Sequence, residues 1–266
     1  MAIRVGFDPH RRVLLSALAW LAAMPPRAAA ATDYGSAIDA AGRQRMLTQR
    51  IVKAYCQIGL QVSPQASRVQ LTDSLQRFES QLAALRRSLA ADAATRRALQ
   101  RCAAAWPALK RTAAEPVSRA GAARLVRLDA VVLQAAHEVV LALESAAGTP
   151  QARLVNVSGR QRMLSQRLAK LYMLRAWGIE TPDLRDQMDR AASEFAAALD
   201  MLRHAPENTS AIARELESVQ LQWDWFAGAI SQQGQESYAL VVADASEAIL
   251  ASMDLVTGMY AELARS

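Results

Sequence analysis

Cysteine occurs only twice in this 266-residue chain, at Cys56 and Cys102, and neither the spacing nor the neighbours fit a metal site or a haem attachment motif. Glycine and proline are also few, 11 and 9. With Ala and Leu dominating, that scarcity favours an all-α protein over a turn-rich β architecture. Of the three histidines, His10 lies at the N-terminus, and His137 and His204 stand in no recognisable motif. Nucleophile elbow, metal-ligand cluster and phosphate loop are all missing, so no enzyme class and no cofactor is implied. Glu138 and Glu144 are six residues apart and do not share a helix face well. Glu138 and Glu207 read as surface charges. No basic block with interleaved aromatics appears, which argues against nucleic acid as a partner. After residue 31 there is no apolar run of eighteen residues free of charge, so no later segment is expected to span a membrane.

The N-terminus carries an export pattern. Arg4, Arg11 and Arg12 precede the apolar run VLLSALAWLAAM (13–24), and Pro25, Pro26, Arg27 and four alanines follow it. This is the layout of a cleaved secretory signal over residues 1–30, with an uncleaved amphipathic anchor as the alternative. Cleavage removes four arginines and Asp8, which lowers the formal net charge from +6 to +3. The mature protein is expected to be periplasmic. In that compartment Cys56 and Cys102 either oxidise to a disulfide or remain free buried thiols; both readings stay open.

What the chain has in abundance is self-similarity. AGRQRMLTQR at 41–50 returns as SGRQRMLSQR at 158–167, 117 residues later. The same offset relates Leu99 and Trp106 to Leu216 and Trp223, and Leu133 and Val139 to Leu250 and Val256. The chain is an internal duplication, with units at 31–147 and 148–266. Helices are predicted near 36–60, 67–90, 93–112 and 121–146, then 151–178, 183–204, 208–230 and 236–264. The breaks fall at Ser63-Pro64, the Asp92 region, Glu115-Pro116, Gly148-Thr149-Pro150, Gly178 to Pro182, His204 to Asn208, and Gln233-Gly234. Thr181-Pro182-Asp183 and Asn208 serve as helix-start signals. Pro107 is expected to kink the third helix or to confine its first turn. Trp106, Trp223 and Trp225 are expected to pack in the core or at the bundle ends. Short links between long helices predict two tandem up-and-down four-helix bundles related by pseudo-twofold symmetry.

The motif helix has two apolar faces. Leu47, Ile51, Ala54, Tyr55 and Ile58 lie on one, as do Leu164, Leu168, Leu171 and Tyr172 in the second copy. A second stripe runs Ile38, Gly42, Arg45, Gln49, Val52, Cys56, and Val155, Gly159, Arg162, Gln166, Ala169, Met173. Its spacings of three and four make it a helix–helix seam. The two seams are natural partners. A mid-helix glycine costs about 1 kcal/mol against alanine, and close approach of two backbones at Gly42 and Gly159 is the offsetting reason. Arg45 and Arg162 then face one another and require a counter-charge. Either a small oxyanion or a carboxylate such as Asp39 fits that requirement. Arg43, Arg50, Arg160 and Arg167 fall at the core edge in structural roles, and Gln49 and Gln166 supply secondary donors.

The second copy, with its preceding residues Asn156-Val-Ser, resembles the signature of the PilJ-type domain, the N-terminal sensor region of type IV pili chemotaxis transducers. It is also similar to the P-box of the NarX/NarQ nitrate-sensor kinases, of the form N-x-A-G-x-x-R-M. The first copy departs from it with Asp39 in place of Asn. The resemblance covers both units. It implies a four-helix sensor bundle in which the arginine before the Met from each half holds nitrate at a two-fold interface. Carried over, those residues are Arg45 and Arg162, with Gly42, Gly159, Gln49 and Gln166 around them. The expectation is a periplasmic, non-enzymatic binding protein for nitrate or nitrite, read by a membrane receptor or transporter. The alternative is a ligand-free scaffold of an envelope, pilus or chemosensory assembly, in which both arginines are neutralised internally.

Overall fold

A computed structural model describes residues 33–88, 93–179, 181, 183–232 and 235–265. The expected signal segment, the Asp92 break, Pro182 and the Gln233-Gly234 break lie outside them. Among the described residues the regular structure is helical: α1 (Tyr34–Gly59), α2 (Pro64–Ser88), α3 (Ala93–Ala114) and α4 (Arg119–Ala147) in the first repeat, and α5 (Pro150–Ala176), α6 (Leu184–Arg203), α7 (Ser210–Ile230) and α8 (Ala239–Leu263) in the second. A 3-10 turn, Glu236–Tyr238, leads into α8. No described helix is long and apolar enough to cross a membrane.

Local chemistry fixes the ends. Asp33 caps α1 by accepting from the Ser36 amide at 2.9 Å. Ser118 caps α4 and Thr149 caps α5 in the same way. The link between repeats is compressed into Gly148-Thr149: Gly148 takes the left-handed conformation (φ 63°) that closes α4, Thr149 caps α5, and Pro150 occupies its first turn. Two start signals resolve differently from expectation. Thr209 caps α7, while Asn208 donates to the Leu202 carbonyl and accepts from the Tyr260 hydroxyl. Asp183 precedes α6 in a left-handed conformation (φ 57°) without a side-chain cap bond. Helix α3 runs through Pro107 to Ala114, well beyond a first turn.

Helices α1 and α5 form the centre, packed along one another. Each also packs on the second and fourth helices of its own repeat, α2 and α4 for α1, α6 and α8 for α5. Helices α3 and α7 lean mainly on α4 and α8. Both faces of the motif helices are consequently enclosed. Every residue of the two seams and of the two core faces is buried. The two repeats share one compact unit, Asp33–Ser266. The pairing of motif helices therefore takes place within one chain.

The duplication persists in the packing. Phe78 stacks on Trp106 with ring centroids 4.0 Å apart, and Phe195 on Trp223 at 4.2 Å. The Tyr55 hydroxyl donates to the Pro116 carbonyl and accepts from the Ser118 amide, both at 3.1 Å. The Tyr172 hydroxyl donates to Gln235 O at 2.8 Å. Trp225, expected to pack, is instead 60% exposed. Cys56 and Cys102 are free and buried, and burial pushes both thiols up to about 12. Such thiols are inert at neutral pH.

Candidate functional site

The decapeptide repeats meet where α1 crosses α5. A Cβ placed on Gly42 would sit 3.4 Å from Arg162 Nη2 and 3.5 Å from Arg45 Nη2. One on Gly159 would sit 3.1 Å from Arg162 Nη2 and 3.7 Å from Arg45 Nη2. The glycines thus provide the space into which both guanidiniums fold. Gly42, Gly159, Arg45 and Arg162 are brought to one place, and both arginines are almost wholly buried.

Their partners differ. Arg162 Nη1 donates to Asp254 Oδ1 at 2.5 Å, and Nη2 donates to Asp39 Oδ1 at 2.7 Å. Arg43 joins the same pair of acids, at 3.0 Å from Asp39 and 3.9 Å from Asp254. Arg45 has no carboxylate within ion-pair distance among the described residues. Its Nη1 lies 3.4 Å from His137 Nδ1, its Nη2 donates to the Asn156 carbonyl at 3.3 Å, and its buried Nε has no partner. Burial, with the positive charges of Arg160 and Arg162, pulls the Arg45 guanidinium down to about 9. It is still a cation at neutral pH. Burial and the charges of Arg45 and Arg160 also lower the His137 pKa below its ordinary value.

One turn further along, the glutamines serve the frame. Gln49 Nε2 donates to Thr48 Oγ1 at 2.9 Å and to Asp129 Oδ1 at 2.8 Å. Gln166 Nε2 donates to the Ser246 carbonyl at 2.9 Å. Their Oε1 atoms are buried without a partner. Beyond them two lysines cross between repeats. Lys170 on α5 donates to Asp129 on α4 at 2.7 Å. Lys53 on α1 donates to Glu247 on α8 at 2.6 Å and to Ser246 Oγ at 3.1 Å. Burial pulls the Lys53 amine down to about 8 even with Glu247 beside it. Glu247 is also largely desolvated, but Lys53 and Arg50 outweigh that and hold its carboxyl at about 2. Two further motif arginines are structural: Arg50 pairs with Glu247 at 2.6 Å, and Arg160 with Glu194.

Sequence reasoning singled out neither His137, Asp254, Asp129, Lys53, Lys170 nor Glu247. The signal was available in the register. At the same offset of 117, His137 corresponds to Asp254, Asn156 to Asp39, Asp129 to Ser246, and Lys53 to Lys170. Among the described residues, no group of three His, Cys, Asp or Glu side chains is placed to hold a metal.

The arrangement is a helix crossing with two buried guanidiniums, each with an unpartnered Nε, one bonded to two carboxylates through its Nη atoms and one bonded to neutral groups alone. Neither a curated protein nor a solved structure matches the chain significantly. A family match falls once on each repeat, over residues 29–131 and 145–245, and the chain accordingly belongs to the PilJ family, the type IV pili methyl-accepting chemotaxis transducer N-terminal domain.

Proposed function

We propose that the protein is a periplasmic sensor that binds a small oxyanion, nitrate or nitrite first, at the crossing of α1 and α5. The family is a sensing and signalling one, non-catalytic and typically extracytoplasmic. The single observation that carries the anion reading is Arg45: a cation sealed from water, with no carboxylate within ion-pair distance. Burying an unpaired charge is expensive, so a ligand that neutralises it gains more than it would at the surface. The planar fork of a guanidinium matches a planar oxyanion. The resemblance of the motif to the nitrate-sensor P-box supports the same choice of ligand. The export signal over residues 1–30 supports the compartment. An anion seated there draws α1 and α5 together at the glycines and changes their crossing, and a membrane receptor or transporter reads the change.

Titration calorimetry and thermal melting with nitrate, nitrite and sulfate test this. Saturable heat is expected with at least one anion, together with a rise in melting temperature that grows with ligand concentration. Arg45→Ala should remove both. No heat and no melting shift at millimolar anion overturns the reading. A second reading, a ligand-free scaffold of an envelope or chemosensory assembly, is favoured by one observation: Arg162 is already neutralised by Asp39 and Asp254.

A further inference from the structure

The second repeat shows what an anion looks like on this site. On Arg162, the carboxylates of Asp254 and Asp39 receive Nη1 and Nη2. At the matching positions around Arg45 stand His137 and the backbone carbonyl of Asn156. The Arg45 half therefore has two fewer negative charges than the Arg162 half and the same cation.

Resting on the anion-sensor reading above, we infer that the Arg45 half is the one ligand seat of the chain, that His137 is a second ligand-contacting residue there, and that the anion enters together with a proton taken up by His137. A guanidinium only donates hydrogen bonds, so Nδ1 of His137 accepts from Arg45 and the unliganded ring is neutral. Protonation of Nδ1 sets a donor against a donor and a cation against a cation. An anion between them accepts from both and removes the conflict. The two carboxylates that favour a charged His137, Glu194 and Glu138, are each already paired with an arginine. From α1 it faces Arg45, and from α5 Arg160, whose charge is paired with Glu194 of α6. On α4 itself, Glu138 is bound to Arg101 of α3, and Glu144 accepts from Asn156 of α5. Burial first, and then the charges of Arg45 and Arg160, hold the pKa of the half-buried ring down. A bound anion reverses that, and by linkage protons and anion each strengthen the binding of the other. The Arg162 half takes no ligand, because Asp39 and Asp254 fill it.

The test is calorimetry of the full chain with sodium nitrate between pH 5 and pH 8.5, in two buffers of different ionisation heat. The expected result is one nitrate per chain, with net proton uptake on binding. Affinity should rise as pH falls, by at most about tenfold per pH unit, around and below the ordinary histidine pKa of about 6.5. His137→Gln should bind nitrate weakly, with the pH slope and the proton uptake both gone. His137→Asp, which copies the Arg162 half, should melt higher than the parent without ligand and ignore nitrate. Binding with no pH slope and no proton uptake, two nitrates per chain, or a His137→Gln chain that keeps the slope overturns the inference while leaving the sensor reading intact. Failure to bind nitrate, nitrite or sulfate at any pH overturns the sensor reading itself, and the inference falls with it.

Discussion

The two halves of the crossing carry the same decapeptide and end in different electrostatic states. Arg162 is held by two carboxylates. Arg45 is held by a histidine ring and a carbonyl. The decapeptide is not the source of the difference, since each copy carries one glycine, three arginines and two glutamines at the same places. It comes from residues outside the decapeptide: α8 contributes Asp254 where α4 contributes His137, and α1 carries Asp39 just before its decapeptide where α5 carries Asn156. The two half-sites share a decapeptide, and their neighbours make them unequal. At the other end of the seam the outcome is the reverse. Lys53 and Lys170 both reach across to the fourth helix of the opposite repeat and both find an acid. The acids stand one residue out of register, Glu247 against Asp129, whose true counterpart is Ser246. There, the same ion-pair chemistry is met out of register.

The lysine end should yield the largest effect. Asp129 accepts from both Gln49 and Lys170 and is 1% exposed. Asp129→Asn leaves the Lys170 ammonium buried without a counter-charge and should cost about 3–5 kcal/mol in urea unfolding. Glu247→Gln should cost less, about 1–3 kcal/mol, because Glu247 is partly exposed and Lys53 keeps Ser246 as an acceptor. The two variants also separate by pH. The Glu247 carboxyl is held at about 2, below the value of 4.5 usual for an unfolded chain, so its contribution is complete above about pH 4.5 and is lost as pH falls towards 2. Glu247→Gln should flatten that acid limb. Equal losses from the two substitutions would show that the lysine ends are not distinguished by exposure.

A double substitution tests the arginine end. Asp39→Asn with Asp254→Asn gives Arg162 the neutral surroundings that Arg45 already has. The variant should lose about 2–4 kcal/mol of stability in low-anion buffer, and nitrate should restore part of it. Calorimetry should then count two anions per chain. One anion, or none, would mean that more than the two carboxylates separates the halves.

How much of this was readable beforehand follows from what each feature depends on. The two faces of the motif helix were legible because spacing alone decides which residues share a face, and all the seam residues are buried. Trp225 was misjudged because hydrophobicity was weighed without position. It lies two residues from Trp223 on one helix, and residues two apart do not face the same way, so only Trp223 reaches Phe195. Asn208 fits a cap by residue type, but one residue later Thr209 does the same work, and Asn208 is drawn to Tyr260. His137 and Asp254 stayed hidden because their meaning is tertiary. Only the packing of α4 on α1 and of α8 on α5 brings them to the arginines.

The glycines offer the finest discrimination between the halves. A Cβ at Gly42 meets only ordinary contacts, at 3.4 and 3.5 Å, whereas one at Gly159 lies 3.1 Å from Arg162 Nη2. Replacing a mid-helix glycine by alanine gains about 1 kcal/mol of helix propensity. Gly42→Ala should therefore be neutral or slightly stabilising. Gly159→Ala must displace the Arg162 guanidinium, which is tied to Asp39 and Asp254, and that offsets the gain. The expected separation is about 1 kcal/mol, or about 2–4 °C in melting temperature for a chain of this size. If the two variants melt together, the guanidinium of Arg162 yields freely, and its pairing with Asp39 is looser than the 2.7 Å contact implies. If Gly159→Ala melts lower, Asp39 is holding Arg162 against the glycine. That hold is what leaves Arg45, and not Arg162, as the cation in need of a partner.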